Sequence, residues 1–503
     1  MTIRLSLLRF VARALIVLLF SQQLALAAPA TALPDLGDNS AALISPLDER
    51  RLGEEFMREA RATLDILDDP ESTEYLQSLG LRLTTSARTS SSFRFFLINN
   101  SAINAFAVPG GFVGVHTGLI LAARNEAELA AVLAHETAHI TQRHIPRMIA
   151  ESQRTAAPAL AAILAGILLA ASGKGGGEAA ILLTTAGMAQ HELNFTRSFE
   201  EEADRIGMGI LDGAGFDAHA MPAFFERLET QNRLNEVNVP EFLRTHPITG
   251  RRIAESRDHA QSFTARRNPD DTDFSHIQAR LRTLAVNPGE AVKNFRATYS
   301  PKSEKRPTAA DRYGYAVALL ANREIEAAQR ESTQLLALKP DFLLYRMLRA
   351  EAEIAAGNNS AGLDRYARTL QQTPDSLGLI QRYAAALLRA RHAEEARALL
   401  DRAVRRRNDE PALYRMLATA AGEAGRPLEA HRAFGEYYYR IGQPRAAVEQ
   451  FELALRVAPS SYYIASLEAR IKEIREEAPL LFKNDHNPGS RNPPPRRTAQ
   501  RYF

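Results

Sequence analysis

Apolar positions recur at helical spacing over most of the chain, and only one short region alternates as strand. Helical patterns start near residue 47. Ser92–Leu97 (SFRFFL) has strand character. Ala105–Val115 (AFAVPGGFVGV) predicts a strand, a tight Pro-Gly-Gly turn and a second strand. A helix follows from about Asn125, with Asn125 and Glu128 as an N-cap pair. Two apolar runs, Ala156–Ser172 and Ala179–Met188, flank a glycine-rich turn. Each falls short of the roughly 20 residues that cross a bilayer. They read as a buried or mobile helical hairpin or, alternatively, as a flap that faces a membrane or covers substrate.

The second half of the chain repeats itself. Ala316, Ala350, Ala384 and Ala418 are 34 residues apart, and so are Ala328, Gly362, Ala396 and Ala430. Pro340 and Pro374 keep the same period, with Asn408 in the third place. A 34-residue unit of two helices, with small residues where they touch, is the tetratricopeptide pattern. Pro444–Ala458 and Ser461–Glu476 read as further helices closing the array. The resulting division is a targeting segment at 1–27, a linker at 28–46, a first folded domain at 47–265, connecting helices at 266–304, repeats at 305–476 and a disordered tail at 477–503.

Composition narrows the classes without naming a function. Of 503 residues 24% are charged, and the formal charge is +3, so nothing points to nucleic acid. Cysteine is absent, which excludes disulfides, thiolate metal sites and cysteine nucleophiles. The first 34 residues hold no Asp or Glu. Arg4, Arg9 and Arg13 precede the apolar run Ala14–Phe20, and Ala25-Leu26-Ala27 fits a signal peptidase cut. Export with cleavage after Ala27 is expected.

The chemistry lies in His135-Glu136-Thr137-Ala138-His139. On a helix, positions i and i+4 project to one side, so both imidazoles reach a single zinc ion, and Glu136 sits beside them as general base. A third ligand must come from elsewhere. Gln142 and Ile145 stand where the metzincin extension needs Gly and His. His144, five residues past His139, reads as a surface histidine. Glu200, Glu201 and Glu202 are the acidic candidates on a later helix. Glu200 and Asp204 share a face, so one carboxylate can bind metal while the other orients a ligand histidine; Glu201 and Glu202 read as solvated.

These residues resemble a family. His135-Glu136-x-x-His139 followed by Glu200-x-x-x-Asp204 is similar to the zinc endopeptidases typified by HtpX and the CAAX prenyl protease. Asn104-Ala105-Phe106-Ala107-x-Pro109-Gly110-Gly111 resembles that family's strand before the active-site helix, and Thr245-His246-Pro247 with Arg252-Ile253 its later His-Pro element. The resemblance implies a mostly α chain: an α+β gluzincin-type peptidase domain followed by an all-α repeat solenoid. It implies one zinc per chain held by His135, His139 and Glu200, with Glu136 as base and Asp204 behind a ligand. With a signal peptide and repeats, it further implies a periplasmic endopeptidase. Such an enzyme degrades misfolded or stalled outer-membrane proteins and assists their assembly, meeting the assembly machinery through its repeats. A chaperone or scaffold with a vestigial peptidase domain is the alternative. Nucleic acid is not an expected partner, and 156–188 could touch a membrane peripherally.

Three smaller expectations complete the reading. Residues 104–107 offer a strand edge to an extended substrate. Asn104 and Arg252 are candidate oxyanion donors. His246, on a loop before Pro247, either swings onto the metal as a fourth ligand that holds the enzyme latent, or packs the loop or binds substrate.

Overall fold

The structure is a computed structural model that describes residues 44–89, 91–151, 163–168, 171–172, 189–234, 240–266, 271–299 and 306–477. The signal peptide, most of the linker, the tail from 478 and most of 156–188 lie outside them.

The first part is helical around one small sheet. Helix α1 is Pro46–Thr63, with Ser45 and Asp48 forming a capping box. Helix α2 is Pro70–Ser86, capped by the Asp69 side chain. Strands β1 (Arg94–Ile98), β2 (Ala105–Val108) and β3 (Phe112–His116) follow. The sheet order is β1-β3-β2, with β1 parallel and β2 antiparallel to β3. The β2–β3 turn passes through Gly110 and Gly111 at φ 86° and 90°, a region open to glycine at no steric cost. Next come α3 (Thr117–Ala122), α4 (Glu126–Thr141), α5 (His144–Glu151), α6 (Ala189–Gly213), α7 (Ala220–Leu234), α8 (Glu241–Thr245) and α9 (Gly250–Ala260).

Helix α4 is buried on nearly all sides. Leu129, Val132 and Leu133 pack with Leu76, Leu79 and Leu83 of α2, Val113 and Val115 of β3 and Phe224 and Phe225 of α7. The capping expected at Asn125 forms in part. Its side chain accepts the Glu128 amide, but the Glu128 carboxylate accepts the Arg124 amide instead of the cap's own. Leu164 and Ala171, from the apolar stretch, pack with Phe56, Phe96 and Phe106. Among the described residues no helix is long and apolar enough to cross a membrane.

Helices α10 (Thr272–Leu284) and α11 (Pro288–Thr298) lead to the repeats. The pairs are α12 (Ala309–Ala321) with α13 (Ile325–Leu338), α14 (Leu343–Ala355) with α15 (Asn359–Gln372), α16 (Leu377–Arg389) with α17 (Ala393–Arg406), and α18 (Pro411–Glu423) with α19 (Pro427–Arg440). Helices α20 (Pro444–Arg456) and α21 (Ser461–Glu477) close the array. The two small-residue series lie at the helix contacts, and Ala316, Ala350, Ala384 and Ala418 are fully buried. In the second unit the series carries glycine, and a Cβ on Gly362 would stand 2.4 Å from Ile354 Cγ1 and 2.8 Å from the Ala350 carbonyl oxygen. Within each pair the chain turns through one left-handed residue, Arg323, Gly357, Arg391 and Gly425 in turn.

A buried ionic junction joins the two parts. Arg280 of α10 donates from Nε and Nη2 to Asp69 at 2.7 and 2.6 Å. Arg382 of α16 donates to both Glu71 oxygens at 2.9 and 2.8 Å. Glu74 accepts the Leu377 and Gly378 amides and the Ser376 hydroxyl, closing the open N-terminus of α16. Helix α2 therefore touches both the active-site helix α4 and the repeat helix α16.

Candidate metal centre and active site

Two helices meet closely because one of them carries a glycine. At Gly207 of α6 a Cβ would lie 3.1 Å from the His135 backbone nitrogen. Glu200, Asp204 and Gly207 fall on one face of α6, so that contact brings both carboxylates against the α4 histidines. His139 Nε2 lies 3.0 Å from His135 Nε2 and 3.5 Å from Glu200 Oε1, and His135 Nε2 lies 3.4 Å from Glu200 Oε2. His246, which follows α8, completes the group. Its Nδ1 is 2.9 Å from Glu200 Oε1 and 3.3 Å from His135 Nε2.

One ligand atom from each of these four residues lies within 4.8 Å of all the others. A tetrahedral ion about 2.0–2.1 Å from each donor sets them about 3.3 Å apart. The recorded contacts of 2.9 to 3.5 Å match that spacing. Three imidazoles and one carboxylate therefore fit a borderline-soft divalent cation.

The supporting residues are as ordered as the donors. Asp204 Oδ1 lies 2.9 Å from His135 Nδ1, the nitrogen turned away from the cluster. Arg252, buried on α9, donates to both oxygens of Asp204 at 2.6 and 2.8 Å, to the Pro247 carbonyl at 3.2 Å, and pairs with Glu200 Oε2 at 2.7 Å. Its donors are thus committed to the carboxylates and to the loop carrying His246. Four of its five N–H groups are accounted for in this way. Asn104 is buried beside β2, where its backbone carbonyl accepts the His116 amide.

Electrostatics separate the two helix histidines. Burial alone would lower the His135 pKa, but Asp204 and Glu200 outweigh it and hold the value up at about 9. His139 lies well below the usual histidine range, through burial first and then the neighbouring His135 charge. Glu200 stays ionised despite burial, because His246, Arg252 and His135 surround it. Glu136 is 1% exposed, and burial raises its pKa. Its Oε1 lies 3.4 Å from His246 Nε2, and the Ala107 amide of β2 faces its carboxylate.

Two expectations change here. His144 is no surface residue: it is 3% exposed, and its Nδ1 lies 2.8 Å from His139 Nδ1. Glu202 is not simply solvated. It accepts from Arg147 at 3.0 Å and faces His144 Nε2 at 3.4 Å. Helical spacing hid both, because α4 ends at Thr141 and the chain turns at Arg143, a left-handed residue at φ 53°. No pattern in the sequence marks an arginine for that conformation. Glu201 does stay near the surface, 3.6 Å from Arg251.

Known proteins share this arrangement of sequence. Residues 70–260 match Peptidase family M48, and residues 353–421 match a tetratricopeptide repeat family. The chain is 32% identical to the beta-barrel assembly-enhancing protease of Escherichia coli strain K12, over 90% of this chain and 93% of that protein. The Yersinia pestis protein of the same name is also 32% identical, over 88% and 91%. The mitochondrial metalloendopeptidase OMA1 of Schizosaccharomyces pombe is 31% identical over 38% of this chain and 53% of its own length. With that likeness running nearly end to end, and the histidine–glutamate cluster inside the matched peptidase segment, the chain belongs to the M48 metallopeptidases, among the beta-barrel assembly-enhancing proteases, and is a metal-dependent peptidase.

Proposed function

We propose that the chain is a zinc endopeptidase of the periplasm that degrades misfolded or stalled outer-membrane proteins and assists their assembly through its repeats. The observation that carries this reading is the four-donor cluster with Glu136 beside it, inside an M48 segment. Zinc is favoured by the imidazole-rich donor set and its spacing. His135, His139 and Glu200 would hold the ion, which when bound supplies Lewis-acid polarisation of a carbonyl and acidification of water. The relatives' printed name supports the outer-membrane role. The basic, apolar and small-residue order of residues 1–27 supports export.

The chain's own residues do the rest. Glu136 takes the proton of the attacking water and returns it to the leaving amine; burial, by raising its pKa, suits it to both. Strand β2 stands at the sheet edge with the Ala107 amide toward Glu136, so an extended substrate adds along residues 104–107 and is read through its backbone. His246 lies between Glu136 and Glu200, 3.4 Å from the one and 2.9 Å from the other. With the ion bound it would be a fourth ligand that holds the enzyme latent, and it would have to move for hydrolysis to begin. The test is casein digestion by the purified mature protein. Glu136→Gln should keep metal and fold and lose cleavage; cleavage at the wild-type rate would refute the mechanism.

A further inference from the structure

The two helix histidines of the metal site are supported in different ways. His135 turns Nε2 toward the cluster and Nδ1 toward the Asp204 carboxylate. His139 also turns Nε2 inward, but its Nδ1 meets a third imidazole, His144 Nδ1, at 2.8 Å. Two nitrogens at that distance need one proton between them. If His139 binds metal through Nε2, its Nδ1 must carry the hydrogen, so His144 Nδ1 must be the acceptor. The remaining proton of His144 then sits on Nε2, which faces Glu202 Oε2 at 3.4 Å.

The surroundings fix this imidazole in place. Phe199 stacks on it with ring centroids 4.4 Å apart and planes 17° apart. Arg147 lies over the other ring, Phe199, at 4.8 Å and donates to Glu202 at 3.0 Å. The turn that brings His144 back under His139 is itself held. Arg143 keeps its left-handed backbone while its guanidinium donates to Glu49 at 2.9 Å and to the Ile44 carbonyl at 2.7 Å. A non-glycine residue holds such a conformation only where its surroundings over-determine it.

We infer that His144 is a positioning residue of the metal site: it accepts the Nδ1–H of His139, fixes that ligand's tautomer and ring plane, and is aligned by Glu202. This rests on the metal-site reading above. Partners of this kind contribute to affinity through the ligand they orient, without touching the metal.

The experiment measures zinc affinity by competition with a chromophoric chelator in the full-length mature protein. His144→Leu keeps an apolar contact for Phe199 but removes the acceptor. It should weaken zinc binding roughly 10–100-fold. His144→Asn places an acceptor oxygen where Nδ1 stood and should restore affinity close to wild type. Melting of the zinc-free proteins separates positioning from structure: the Leu variant should melt with wild type when zinc-free, and gain less on adding zinc. Wild-type affinity in His144→Leu would overturn the inference, as would an Asn variant no better than Leu. Zinc binding by His135→Ala at wild-type strength would instead overturn the metal site itself, and this inference with it.

Discussion

Removing Asp69 tests whether the repeats and the peptidase part form one stability unit. Asp69 is 6% exposed and does two things at once. Its carboxylate caps α2 through the Ser72 amide, and it takes the bidentate donation of buried Arg280. Breaking a buried pair from one side costs about 3–5 kcal/mol. Glu71, 3.0 Å from Arg280, keeps part of that charge compensated, so the low end of the range applies. The lost cap adds about 1 kcal/mol, giving about 4 kcal/mol for Asp69→Ala. Asp69→Asn keeps a capping acceptor and should cost about 1 kcal/mol less. Urea unfolding at neutral pH measures both, as midpoint shifts at unchanged slope. The pH dependence has a definite sign. Arg280 and Arg382 overcome the effect of burial and hold Asp69 below the usual carboxylate range. A depressed folded value means the stabilisation is complete above the unfolded pKa of about 3.9 and fades as pH falls through the folded one. The penalty of Asp69→Asn should therefore be equal at pH 8 and pH 5 and shrink only below about pH 4. A loss under 1 kcal/mol for Asp69→Ala would refute the junction as a determinant of stability.

Three further expectations follow from the site and the repeats. His246→Ala should raise basal casein cleavage with metal still bound; a fall in cleavage, metal retained, would rule out latency through His246. The metal-free protein should release about one proton on binding zinc at pH 7–8, because His135 stays charged up to about 9, and apparent affinity should climb until pH passes that value; calorimetry in two buffers of different ionisation enthalpy would show it, and zero release would contradict it. Arg323→Gly and Arg391→Gly should each stabilise the repeats by about 0.5–1 kcal/mol, since glycine takes the left-handed turn without strain; thermal melting decides, and a loss in either would mean that the arginine side chain outweighs the strain.

What the sequence revealed depended on the range of each interaction. The repeats were readable because both helices of a unit lie within one period, and buried alanines recur at that period. The structure brings together the helical face shared by His135 and His139 and that shared by Glu200 and Asp204, and each face was readable for the same local reason. His144 was not, because the Arg143 turn breaks the spacing on which any prediction for it relied. The partners of Arg252, Asp204 and Glu200, were not readable either, because they lie on another helix. The Arg280–Asp69 and Arg382–Glu71 pairs join residues 211 and 311 positions apart, and single charges on helices give no hint of such partners.

The tight approach at Gly362 bears on how such an array can change by recombination. Units that share a length and a phase invite exchange, duplication and replacement by a consensus unit. Here the other three units carry alanine where the second carries glycine, and that one methyl group would strike the carbonyl oxygen of Ala350, which cannot swing aside as a side chain does. A graft of the first, third or fourth unit into second place would have to push α14 and α15 apart, changing the angle at which everything beyond them leaves the peptidase part. The four units are thus alike in grammar but not in position, and the order in which they stand is itself part of the design.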